Sequence, residues 1–142
     1  MMKNSELRKS TISRLVLLLS GLVASGIAVA ILIAPDAFYA SYGIDLDGDS
    51  NLTNELKAPA GALLLAGVMI LAGSIRTQLI AFSMTTAAAV YLSFGLPRFL
   101  SMIVDGVPGD GLVSAAVVEV AIGTICLINL ISYRSRSNAQ NT

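Results

Sequence analysis

Glu119 is the only acid inside the four long apolar runs of this chain, and Arg98, just past the third run, is its natural partner. An ionisable group buried in hydrocarbon is costly, so it faces the protein interior and takes a partner. Three kinds of chemistry fit one acid and one base in that setting. They could form a polar anchor for a lipid-like or quinone-like ligand, or a proton-carrying carboxylate of a small transporter. They could equally form an ion pair that only fixes helix register. The residue types alone do not separate these readings.

The residues around Glu119 are small. Ala116, Gly123 and Cys126 share its helix face at i−3, i+4 and i+7 and leave a groove beside the carboxylate. Glu55, ahead of the second run, and Asp105, beyond the third, stand near the mouth of that groove. The candidate site is therefore Glu55, Arg98, Asp105 and Glu119, as ligand-binding or ion-pair residues.

Other chemistry finds little support. There is no His and a single Cys, Cys126, so neither a disulfide framework, a zinc-ligand set nor a Cys/His nucleophile pair can be assembled. No P-loop, dinucleotide-binding glycine motif, nucleophile elbow or pair of catalytic carboxylates is present. No catalytic residue, metal or cofactor is expected, and an enzyme is the least supported class. The stretch Asp45-Leu46-Asp47-Gly48-Asp49-Ser50-Asn51 has the look of a calcium loop. Counted from Asp45, however, Gly48 falls at position 4 and Leu56 at position 12, where an EF-hand needs Gly at 6 and Glu at 12. A solvated turn is the better reading. Asn51-Leu52-Thr53 is a glycosylation sequon only in a host that glycosylates.

The elements that must carry Arg98 and Glu119 are the apolar runs Leu15 to Ala34, Ala58 to Ile75, Thr77 to Pro97 and Leu112 to Tyr133. Each is long enough to cross roughly 30 Å of hydrocarbon as a helix. Composition agrees: 55% of the 142 residues are hydrophobic and 13% charged, against about 25% charged in globular proteins. With a formal net charge of zero there is no basic face for a nucleic acid. The expected architecture is all-α, a four-helix transmembrane bundle in a single integral membrane domain spanning 1–142. Its helices are expected near 12–34, 57–75, 78–104 and 111–133. Pro59 then falls in the first turn of the second helix, where its missing N–H costs nothing. The apolar segment Phe99 to Val104 carries the third helix beyond a possible kink at Pro97.

Seven of the nine Lys and Arg residues, Lys3, Arg8, Lys9, Arg14, Arg76, Arg134 and Arg136, lie where an even number of spans returns the chain to one side. The other side holds Lys57 and Arg98 with Asp36, Asp45, Asp47, Asp49, Glu55, Asp105 and Asp110. The positive-inside rule then places both termini in the cytoplasm, with up-down-up-down topology in the cell inner (plasma) membrane. The basic leader and Ala28-Val29-Ala30 also resemble a secretory signal peptide, but the apolar run continues through Ile33. That length favours an uncleaved helix.

This frame also fixes depth. Arg98 lies roughly 9 Å below the end of a helix finishing near Val104, and Glu119 roughly 12 Å below one starting at Gly111. The two meet within a side chain's reach. Small residues recur at helical spacing at Gly21 and Ser25, at Ala58, Ala62 and Ala66, and at Ala81, Thr85 and Ala89. Such stripes serve close helix packing, within one chain or across a homodimer seam.

Asn54-Glu55 leading into a small-residue helix with Gly61, Gly95 with Arg98, Asp105-Gly106 with Pro108, and Glu119 together resemble a family of small bacterial four-helix membrane proteins. It is the family catalogued as domain of unknown function 4345, and the resemblance runs from about Leu15 to Leu130. One departure is Gly95-Leu96-Pro97-Arg98, where that family more often has Arg directly after the Gly. The resemblance implies no activity; it implies that Glu55, Arg98, Asp105 and Glu119 are a shared polar set. The expected function is a non-catalytic binding or accessory role, with a homodimer or another membrane protein as a further partner. The alternative is a small dimeric proton-coupled transporter using Glu119.

Overall fold

The computed structural model describes the backbone of residues 2–139 and the side chains of 11–135. The side chains of Lys3, Arg8, Lys9 and Arg136, four of the seven cations used for topology, lie outside the described residues. The described chain is all-helical: α1 (Met2–Ile33), α2 (Pro35–Ala40), α3 (Ser50–Ile75), a short 3-10 turn (Thr77–Leu79), α4 (Ile80–Val104) and α5 (Asp110–Ala139). Four stretches, Thr11–Ile33, Ser50–Ile75, Thr77–Val104 and Asp110–Ser135, are long and apolar enough to cross a membrane. Their surfaces are inverted relative to a water-soluble protein: Leu19, Leu65, Phe82, Leu100 and Ile128 are all exposed. The chain is a membrane protein.

Besides α1 starting at Met2 and α5 running on to Ala139, beyond the expected 12 and 133, two features depart from the sequence-based expectation. The first is α2, which no apolar periodicity announces. Its start is set by Pro35, whose fixed φ suits the first turn, and by Asp36 at the positive end of the helix dipole. The second is the start of α3 at Ser50 rather than near 57. Asp49 caps it, its carboxylate accepting from the Asn51 and Leu52 N–H groups at 2.8 and 3.2 Å. Pro59 therefore sits well inside α3. Its missing N–H leaves the Glu55 carbonyl without the usual i+4 donor. Pro97 is likewise internal to α4, which continues to Val104.

The acidic segment between α2 and α3 is a turn built on its own carboxylates. Asp45 accepts from the Asp47 N–H at 3.0 Å, and Leu46, 2% exposed, anchors the segment in the interior.

α1 packs along α3 and α4 along α5, while α4 also meets α3. The α1–α3 seam depends on Gly67, where an added Cβ would lie 2.9 Å from the backbone nitrogen of Ser25. The Gly21 and Ser25 stripe is thus used within the chain, whereas Ala58, Ala62, Thr85 and Ala89 are exposed. The best-packed core joins Leu17, Ile70, Ile80, Met84, Cys126 and Leu130. It lies towards the half of the molecule that contains the α3–α4 connection. There the Arg14 guanidinium donates to the Thr77 hydroxyl, and Ser83 Oγ donates to the Met69 carbonyl at 2.6 Å.

Candidate functional site

The opposite half holds the polar side chains singled out above. Arg98 Nε donates to Glu119 Oε2 at 3.0 Å, joining α4 to α5. The pair is partly screened: the Arg98 side chain is 37% exposed and that of Glu119 16%. What lets the helices come this close is Gly95, one turn before Arg98. A Cβ there would stand 2.7 Å from Val120 Cγ2 and 3.0 Å from the Val120 backbone nitrogen. The spacing Gly95 to Arg98 therefore has a physical reading. The glycine brings the two backbones together, and the arginine on the same face reaches across to Glu119.

The ion pair stands where three hollows meet. The first is a partly open cavity of about 100 Å³ to which all five helices contribute. Ile27, Leu56, Leu63, Val90 and Phe94 supply apolar walls; Tyr39, Tyr91, Arg98 and Glu119 supply its polar groups. The second, about 420 Å³, opens between the end of α4 and the following turn. Arg98 shares it with Ser101, Asp105 and Pro108. The third, about 270 Å³, is a groove between α1 and α5 where Glu119 meets Tyr42, Tyr91 and Ser114.

Of the four residues picked from sequence, the structure brings three together. Arg98 and Glu119 are in contact, and Asp105 lines the second hollow with Arg98 while accepting from Ser101 Oγ at 2.8 Å. Glu55 is not among them: it is exposed and lines none of these hollows. The reason is helical phase. Leu56, Pro59, Ala60 and Leu63 follow the i, i+3, i+4, i+7 rule and face the cavity, which leaves Glu55 off that face.

Two tyrosines were not picked out from sequence. Tyr91 lines the cavity and donates from its hydroxyl to the Ser20 carbonyl at 2.6 Å. Tyr39 arrives on α2, and its hydroxyl makes no hydrogen bond among the described residues. Burial pushes the Tyr39 phenol above its ordinary value, with the Arg98 charge opposing in part, so it stays protonated throughout the physiological range. The signal for Tyr39 was Pro35-Asp36, a helix start that would have placed an aromatic residue over the end of the bundle.

The arrangement can hold a small apolar group against a hydrogen-bonding edge. Neither the curated proteins nor the solved structures compared with this chain gave a match. Residues 12–130, which include every residue of the cavity and the ion pair, match the family model described as Domain of unknown function (DUF4345), and the chain belongs to that family.

Proposed function

We propose that this membrane protein is a non-catalytic binding or accessory protein whose cavity receives the head of a lipid-like or quinone-like amphiphile. The observation that carries the reading is the position of Arg98 and Glu119, with Tyr39 and Tyr91, at the edge of a cavity otherwise walled by apolar side chains. Ligand sites commonly combine mostly apolar walls with a few polar groups that orient the ligand. A pair serving register alone has no need of the void beside it, because unfilled space forfeits packing contacts.

The topology belongs to the same proposal. The chain is an up-down-up-down four-helix bundle in the inner (plasma) membrane, both termini are cytoplasmic, and the site lies in the outer half. Support comes from the Lys and Arg distribution. It also comes from residues near the end of α1, the start of α3, the end of α4 and the start of α5 lining common hollows. A reporter fused to the C-terminus that reads out on the outer face would overturn this orientation.

Native mass spectrometry of the detergent-purified protein tests the binding role. A small molecule retained by wild type and lost from Glu119→Gln is the expected result. An empty wild-type monomer would defeat it. A second reading, the dimeric proton-coupled transporter, draws on one observation: Glu119 borders both the 100 Å³ cavity and the α1–α5 groove. It requires an even oligomer and pH-driven uptake into vesicles.

A further inference from the structure

Resting on the binding role just proposed, we infer that the site selects a neutral, ring-sized head carrying a carbonyl-type hydrogen-bond acceptor, which Arg98 and Tyr39 together receive. Size comes first. A cavity of about 100 Å³ is of the order of the engineered apolar cavities of about 150 Å³ that take up benzene. One ring fits, and a tail must leave through an open side.

Charge comes second. Inside the cavity the charged groups are Arg98 and Glu119, which cancel, and the adjoining hollow adds the carboxylate of Asp105. An anionic head would surrender its hydration without gaining a net positive partner. A cationic head would meet the guanidinium. Both carry a desolvation cost that the site does not offset.

The third observation is which donors are in use. Arg98 spends Nε on Glu119, and its terminal nitrogens have no hydrogen-bond partner among the described residues. Tyr91 is committed to the Ser20 carbonyl, whereas the hydroxyl of Tyr39 has no hydrogen-bond partner among the described residues, and Tyr39 lines the same cavity as Arg98. An arginine has donors only, and the Tyr39 phenol, protonated at neutral pH already and with its pKa raised further by burial, has a hydrogen to donate. Two residues with unspent donors on one mostly apolar cavity call for an acceptor on the ligand.

The test compares three probes with the same decyl tail, a benzoquinone, a phosphate and a trimethylammonium, on the full chain in nanodiscs. Isothermal titration calorimetry reads the binding of all three probes in the same way. The expected result is saturable quinone binding at least about 10-fold tighter than either charged probe. Tyr39→Phe should weaken it by about 3- to 10-fold, the loss of one neutral hydrogen bond. Leu63→Trp, which fills the cavity, should abolish it, with size-exclusion profiles confirming that both variants remain folded. Tighter binding of the phosphate or the ammonium probe would overturn this inference and leave the amphiphile site standing. No saturable binding of any probe would overturn both. Quinone binding indifferent to both substitutions would be partition into lipid and would overturn the inference as well.

Discussion

The two halves of the molecule solve the membrane problem in different ways. In the half around Leu17, Ile70, Ile80, Met84 and Cys126, side chains fill the space between helices and are fully buried. In the other half, the same four long helices leave hollows of about 100, 270 and 420 Å³ around one ion pair. Lipid tails are as apolar as leucine, so helix association in a bilayer rests on close packing and interhelical hydrogen bonds rather than on expulsion of water. The filled half supplies that packing. The hollow half gives some of it up, and it is the half that carries Arg98, Glu119 and Tyr39. Stability and site are thus separated along the bundle axis, and substitutions at the two ends should separate too.

The largest effect belongs to the α1–α3 seam. Gly67→Val would drive a side chain into the Ser25 backbone, which cannot move aside without parting the helices. Loss of the monodisperse folded species in size-exclusion chromatography is expected. Gly26→Val is the matched control, because nothing lies within 4 Å of a Cβ built there. Equal tolerance of both would mean that α1 and α3 do not meet as described.

Next comes a direct comparison of the halves. Ile70 is fully buried, so Ile70→Ala opens a void in a filled core and should cost about 2 kcal/mol. Leu63 already borders a cavity, and Leu63→Ala should cost less than half as much. SDS-induced unfolding from mixed micelles gives both values. If the costs are equal, the contrast between filled and hollow halves fails.

The ion pair comes third. Arg98→Leu leaves Glu119 without its partner and should destabilise by about 1–2 kcal/mol, below the 3–5 typical of fully buried pairs because Arg98 is 37% exposed. The double variant Arg98→Leu with Glu119→Leu should regain most of that, since two apolar side chains leave no stranded charge. Its ligand should be gone. A double variant that is stable and still retains ligand would make the pair a register device only.

How much of this was legible follows from which physical rule governs each feature. Arg98 and Glu119 could be paired from the sequence because helical rise fixes depth, and depth needs only the helix ends. The span-capable character of the four runs was legible for a similar reason: length and apolarity are local quantities. The start of α3 was hidden because its first turns are polar and its signal, Asp49 as a cap, sits inside an acidic cluster that resembles other things. Glu55 was misplaced by a single residue of helical phase, although Leu56, Pro59, Ala60 and Leu63 carried the correct phase in plain view. The cavity itself was beyond reach. A void depends on the shapes of side chains from five elements at once, and no pattern along one chain encodes it.

The smallest predicted effect concerns Asp105, which ends α4 and lies where the helix dipole is negative. A carboxylate there is unfavourable, so Asp105→Asn should raise stability slightly, by about 0.3 kcal/mol. The amide oxygen can still accept from Ser101, so the local hydrogen bond at 2.8 Å survives the change. If the acid is present only as a helix end, nothing else should follow. If it guards the second hollow against anions, as its position beside Arg98 suggests, the same substitution should tighten decyl phosphate binding by about 2- to 3-fold, the share expected of one partly screened charge. Stability rising with no change in phosphate affinity would leave Asp105 outside the site. A rise in both would show that this end of the molecule accepts a small loss of helix stability to keep its selectivity, while the filled half makes no such concession.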